Sequence, residues 1–182
     1  MALYHFSVRH VSRGKGQMVV ASAAYISGQR IFDSYYNKIH DYTSKSGVIF
    51  TEILTPEYVP ERMTDREILW NEVEHVERNN KAQLAYSFDI ALQNELKLEE
   101  NIKLAKEFCR EQFVARGMIV DLAVHEGKSD NEEEPDNPHF HVLVPIRPFT
   151  EEGIWGNKQR RGYILDEDGN RVKDTKGKDM FN

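Results

Sequence analysis

Only one of the 182 residues is cysteine, Cys109. That excludes a disulfide framework or a cysteine metal cluster within one chain and fits a reducing compartment. No stretch approaches the roughly 18 consecutive apolar residues of a membrane span, and the N-terminus has no basic region followed by an apolar one. Neither export nor membrane insertion is encoded, and a cytoplasmic protein is expected. No internal repeat or low-complexity tract is visible. Positive charge is also in deficit: 24 Lys and Arg face 30 Asp and Glu, for a net charge of −6, which on its face argues against a nucleic-acid partner. The distribution weakens that objection. From Met1 to Val48, Arg9, Arg13, Lys15, Arg30, Lys38 and Lys45 stand against only Asp33 and Asp41, and a local basic face binds phosphate even on an acidic chain. Much of the excess acid lies between Glu52 and Asp136, including the run from Asp130 to Asp136, which reads as a solvated turn.

The length allows about one domain, and 40% hydrophobic with 30% charged residues describes an ordinary globular protein. The most informative stretch is Asn137-Pro138-His139-Phe140-His141-Val142-Leu143-Val144-Pro145. Side chains alternate faces along a strand, so His139 and His141 share one side while Phe140, Val142 and Val144 face a core. A second apolar run, Met118 to Val124, ends at His125. If the two runs form an antiparallel hairpin, His125 sits opposite the start of the second strand, and three imidazoles share one patch. Three neutral imidazoles suit a divalent transition metal and leave coordination positions open. The competing reading is three hydrogen-bonded strand histidines.

Elsewhere, Leu3 to Val11 reads as a strand, followed by the basic turn Arg13-Gly14-Lys15-Gly16, which either touches phosphate or only connects strand to helix. Met18 to Ser27 is a small-residue helix stopped by Gly28. It carries Tyr25, which is either a packed tyrosine or, beside an open metal site, a phenol able to attack a phosphodiester. Tyr35, Tyr36 and Tyr42, with nearby lysines, are packing residues or stacking positions for unpaired bases. Val48 to Leu54 reads as a strand. Thr64 and Glu67 form a capping box for an amphipathic helix whose Glu72, Glu74 and Glu77 read as a solvated face. Ala82 to Leu92 is a strand bearing Asp89, which either orients a metal-bound histidine through its second nitrogen or is a surface acid. Leu98 to Arg116 is a second long amphipathic helix ended by Gly117. After Pro148 the chain turns polar. Lys158-Gln159-Arg160-Arg161 is either a DNA-backbone contact or an exposed charge run, and Asp166 to Asn170 is a turn able to join two short strands. Residues 1–148 are therefore expected to be the core, with 149–182 a peripheral segment cut from a longer protein.

Four stretches in order, Tyr4-His5-Phe6-Ser7-Val8, Ser22-Ala23-Ala24-Tyr25-Ile26-Ser27-Gly28, Leu69 to Leu92, and Asn137-Pro138-His139-Phe140-His141, resemble the MobA/MobL family of plasmid relaxases within the HUH endonucleases. The resemblance implies an α+β fold, a central antiparallel sheet with helices packed on it in an HUH/ferredoxin-like arrangement. It implies an enzyme that nicks and rejoins one DNA strand at a plasmid transfer origin through a covalent 5′-phosphotyrosine. Tyr25 falls on the nucleophile, His125, His139 and His141 on the metal triad, and Asp89 where an acid is usual. The implied cofactor is Mn²⁺ or Mg²⁺, although three nitrogen ligands alone would also accept Zn²⁺ or Ni²⁺. The implied partners are single-stranded origin DNA, with or without an adjacent hairpin, and other transfer proteins. Ile26 and Tyr86 stand where arginine is common, Ser87 where glutamate is, and Gln93 where proline is. Two alternatives stay open: a rolling-circle replication initiator or transposase of the same superfamily, and a non-catalytic DNA-binding module stabilised by metal.

Overall fold

The computed structural model describes residues 4–128, 136–158 and 162–181. Among them, five strands form one antiparallel sheet. They are β1 (Phe6–Ser12), β4 (Val48–Leu54), β5 (Gln83–Ala91), β6 (Val120–His125) and β7 (His139–Pro145), in the order β1-β5-β7-β6-β4. β2 (Arg30–Asp33) and β3 (Lys38–Asp41) make a separate two-stranded ribbon. The helices are α1 (Val19–Ser27), α2 (Arg66–Val76) and α3 (Leu98–Gln112). This is the expected α+β class, an antiparallel sheet with helices packed on it. None of the helices among the described residues is long and apolar enough to cross a membrane.

The alternation of strand side chains divides the core in two. On one face Leu122, Val124, Phe140, Val142 and Val144 pack with Ala105 and Cys109 of α3. On the other, Ala85, Ala123 and Leu143 pack with Val19, Val20 and Ala23 of α1 and with Leu69, Trp70 and Val73 of α2. The small residues of α1 let its backbone lie close to the sheet. Beneath α2, Asp121 is fully buried and accepts hydrogen bonds from Arg66 Nε (2.9 Å) and Trp70 Nε1 (2.8 Å). An acid in an apolar strand is tolerated because its charge and lone pairs are matched there.

Several expectations fail at this interface. Glu74 is fully buried rather than solvated: it accepts from the backbone amide of Val19 (2.9 Å) and from Arg13 (2.7 Å). α1 has no side-chain cap of its own, so a carboxylate from α2 satisfies its first turn, where helix-end amides favour negative charge. Glu77 is buried too, paired with Arg147 and Lys158. Arg13 does not face solvent or phosphate. Its guanidinium donates to the carbonyls of Glu74, Glu77 and Asn79, completing the C-terminal end of α2. The start of α2 also differs: Asp65, not Thr64, caps it, accepting from the Ile68 amide at 3.0 Å, while Glu67 reaches across to the amide of Phe32.

After β7, Phe149 is buried and Trp155 meets it edge-on, with the Trp155 indole donating to Glu72. The turn expected at Asp166–Asn170 is present, bridged at Leu165 and Arg171. Contrary to the sequence reading, the tail has an internal repeat. Ile164, Val172 and Met180, eight residues apart, bond in a ring: Val172 N donates to Ile164 O, Met180 N to Val172 O, and Ile164 N to Met180 O. Asp166 and Asp174 each tie down the turn that follows by accepting two backbone amides. Residues 159–161, most of the predicted basic cluster, lie outside the described residues, as does most of the run from Asp130 to Asp136.

Candidate active site

One sheet face is half core and half open. Along β6 the inward residues are Asp121 under α2, Ala123 under α1, and His125 beyond the helix. Along β7, Leu143 is in the core while His141 and His139 emerge from it. The β6–β7 hairpin has the anticipated register: His125 pairs with His139, and Ala123 with His141. On the other side of β7, β5 places Asp89 opposite His141 and Ala91 opposite His139. The imidazole centroids lie 4.5 to 5.2 Å apart, and one ligand nitrogen from each ring falls within 4.8 Å of the others.

Each imidazole also has an oxygen on one ring nitrogen. His125 Nε2 donates to the Ile26 carbonyl at 2.7 Å, and His139 Nδ1 to the Asn137 carbonyl at 2.8 Å. His141 Nδ1 bonds to the Asp89 carboxylate. A carbonyl only accepts, so the bonded nitrogen carries the proton and the other ring nitrogen keeps its lone pair. Metal-binding histidines are commonly oriented in this way. Burial, above all, pushes His125 down to about 4, with Lys45 and the neighbouring imidazoles adding to it. Burial likewise lowers His139. Both rings are therefore neutral near pH 7, the form that binds a cation. The donor set fits a divalent ion.

Asp89 is the junction of a second network. His141 and Arg9 both bond to it, Ser7 Oγ lies 3.3 Å away, and the His141 bond holds its carboxyl well below the usual range. Arg9 plays no part in the sequence reading of the site beyond its charge. It arrives because β1 pairs with β5, aligning Ser7 with Asp89 and Arg9 with Ser87, a pairing of strands some 80 residues apart.

The carbonyl that fixes His139 depends on a glycine. Gly127 (φ +60°) accepts from the Asn137 amide at 2.8 Å, and a Cβ there would lie 1.9 Å from the Asn137 oxygen. Only glycine permits both the left-handed backbone and the close approach.

Tyr25 lies in the last turn of α1, which Gly28 (φ +63°) terminates. Its side chain is half exposed at 50% and separates two clefts. One, of about 460 Å³, is lined by Tyr25, Lys45, His125, His139 and His141 among others. The second, of about 330 Å³, is lined by Tyr25, Arg9, Ser22, Ser87, Asp89 and His141 among others. Of the five residues singled out from sequence, Tyr25, His125, His139 and His141 line the first cleft, and Asp89 lines the second together with Tyr25 and His141. Tyr35 and Tyr36, considered for base stacking, lie elsewhere, on the turn of the β2–β3 ribbon, with the Arg13 guanidinium over the Tyr35 ring.

An antiparallel α+β domain with a cluster of three histidines able to hold a metal ion at the open end of its sheet, and a helix-borne tyrosine lining the same cleft, is the class that this geometry defines. The MobA/MobL family model matches residues 17–181. The chain belongs to the MobA/MobL family. It is 35% identical to conjugal transfer protein TraA of Agrobacterium fabrum (strain C58) over all of this chain and 16% of that protein. It is 35% identical to the probable mobilization protein MobA of Bifidobacterium longum, over 94% of this chain and 30% of that one. A solved chain described as the molecular basis of vancomycin resistance transfer in Staphylococcus aureus superposes with a TM-score of 0.78 at 38% identity, covering 87% of this chain and 78% of that one. The chain therefore spans about a sixth of the length of the TraA relative.

Proposed function

We propose that this chain is the nuclease part of a conjugative mobilisation relaxase. It nicks one DNA strand at a plasmid transfer origin and rejoins it, with Tyr25 as the nucleophile. Residues 1–148 are taken as the catalytic core, and 149–182 as a more polar segment whose start is anchored on that core by Phe149 and Trp155. The observation that carries this reading is that Tyr25 and all three imidazoles line a single open cleft of about 460 Å³.

His125, His139 and His141 would hold the divalent ion, Mn²⁺ or Mg²⁺ by family resemblance. When bound, that ion supplies charge neutralisation at the scissile phosphate. The remaining work falls to the protein. Tyr25 attacks phosphorus in line through its Oη: the O–P bond to tyrosine forms, the bond to the 3′ oxygen breaks, the phenol gives up its proton and the departing 3′ oxygen takes one up to become the 3′ hydroxyl. One phosphodiester replaces another, so the strand can be resealed by the reverse step. Asp89 holds the orientation of His141, and α1, fixed at both ends, presents the phenol with little freedom to lose. The reaction takes place in the cytoplasm on single-stranded origin DNA, alongside other transfer proteins.

The test is incubation with single-stranded origin DNA and Mn²⁺, followed by mass spectrometry of the denatured product. A phosphodiester-linked adduct on Tyr25 is expected, and none with Tyr25→Phe. No adduct from the wild-type chain, or the same adduct from Tyr25→Phe, refutes the reading.

A further inference from the structure

The Tyr25 ring is held by one short turn. Lys45 Nζ donates to the Tyr25 carbonyl at 3.0 Å and also lies 3.6 Å from the centroid of the Tyr25 ring. Tyr42 meets the same ring edge-on, with centroids 5.3 Å apart. The turn is closed by the Lys45 amide donating to the Tyr42 carbonyl at 2.9 Å, and it is tied to the end of α1 by the Tyr42 amide donating to Gln29 O at 3.2 Å. The Gln29 side chain is in turn bonded to Arg66, which pairs with buried Asp121. On its other side the turn runs into β4, where Gly47 O accepts from the Glu126 amide and Val48 pairs with His125. Nucleophile and cation ligands are therefore referenced to the same short segment, 42–47.

Building on the relaxase reading, we propose that Lys45 is a positioning residue for Tyr25, fixing both the plane of its ring and the carbonyl end of the helix turn that carries it. An ammonium has three donors and no acceptor. At the C-terminus of a helix it meets carbonyls that have no partner within the helix, together with the negative end of the helix dipole. The same charge is attracted to the face of an aromatic ring. Lys45 satisfies both at once, and they are carbonyl and ring of one residue. Rotation of Tyr25 about its side-chain bonds breaks the ring contact while the carbonyl bond keeps the ammonium in place, so the ring returns to one orientation. A half-exposed tyrosine without such a restraint would sample several rotamers, and a nucleophile displaced by about 1 Å can lose on the order of a hundredfold in rate. Burial lowers the pKa of the Lys45 ammonium, in keeping with a side chain that packs rather than one that only samples solvent.

The test compares wild type with Lys45→Met, which keeps the stem without charge or donor, and Lys45→Arg, which keeps both. Two readouts are needed. The first separates adduct formation at saturating single-stranded DNA from the Kd for an uncleavable oligonucleotide. Lys45→Met should slow the single-turnover step about tenfold or more while changing Kd less than about threefold, and Lys45→Arg should recover most of the rate. The second uses 3-fluorotyrosine placed at position 25 and read by ¹⁹F NMR without metal or DNA. The resonance should move and broaden in Lys45→Met and return toward wild type in Lys45→Arg. An unchanged ¹⁹F resonance in Lys45→Met overturns the proposal. So does a loss confined to Kd, which would make Lys45 only a phosphate contact. If the wild-type chain forms no adduct, the relaxase reading fails, and the ¹⁹F comparison alone still decides whether Lys45 holds the ring.

Discussion

His125 donates a hydrogen bond to the carbonyl of Ile26, and Ile26 is the residue after Tyr25. A proposed cation ligand and the backbone of the helix turn bearing the phenol are therefore one bonded unit. Holding the imidazole in place should hold the turn. Adding Mn²⁺ is expected to slow amide hydrogen exchange at residues 26–29, and His125→Ala is expected to abolish that protection together with most of the metal affinity. Exchange at 26–29 that ignores Mn²⁺ in a protein shown to bind it would mean the two are uncoupled.

Asp89→Asn should weaken metal binding by roughly 10- to 100-fold in titration calorimetry, the usual effect of removing a charged partner from a ligating histidine. The fold should survive, because the isosteric amide would still occupy the same place opposite His141 in the ladder. Unchanged affinity would assign Asp89 to Arg9 alone.

Gly127→Ala tests whether the Asn137 carbonyl orients His139. The added methyl meets that oxygen and requires a strained backbone angle, so a stability loss of about 1–3 kcal/mol is expected. Metal affinity should drop as well. Gly169→Ala, at a left-handed glycine with open space around its Cβ position, shares the backbone strain without the clash and should leave metal affinity unchanged.

Asp121→Ala leaves the buried Arg66 guanidinium and Trp70 indole without their acceptor. Removing one member of a buried pair typically costs about 3–5 kcal/mol, and for a domain of this size that lowers Tm by roughly 10 °C. A loss below about 1 kcal/mol would show that Gln29 or water replaces the carboxylate.

Acid should destabilise the metal-free protein in a defined window. His125 titrates near 6.5 when unfolded and near 4 when folded, so the folded state prefers the neutral ring. That preference is fully present above pH 6.5 and is lost as pH falls toward 4, amounting to roughly 3 kcal/mol at most. Asp89, whose carboxyl is also depressed, adds a loss of the same sign below about pH 4. Thermal melts in chelator should show Tm falling between about pH 6.5 and 4. A flat profile there would contradict the buried, neutral state of His125.

Much of the site is readable from sequence because its parts are local. The alternation in His139-Phe140-His141-Val142 specifies which side chains share a face, and the apolar run ending at His125 specifies the hairpin partner. Small residues and a terminal glycine place Tyr25 on a helix. What cannot be read depends on contacts between distant segments. Glu74 sits among other glutamates on a helix and looks solvated; its partner Arg13 is 61 residues away. Arg9 reaches Asp89 only through the pairing of β1 with β5, 80 residues apart. The ribbon of β2 and β3 is hidden because Asp33 and His40, buried beside each other, read as polar loop residues. The repeat in the tail is faint because its units share little beyond an aspartate and a glycine at matching offsets.

β7 lies third of five, with β5 on one flank and β6 on the other. Two of the three imidazoles thus hang from an interior strand, where freeing either backbone means rupturing ladders on both sides. A cation pocket assembled from surface loops would soften gradually on warming. One rooted in an interior strand keeps its spacing until the whole sheet gives way, so loss of metal on heating should coincide with global melting rather than precede it.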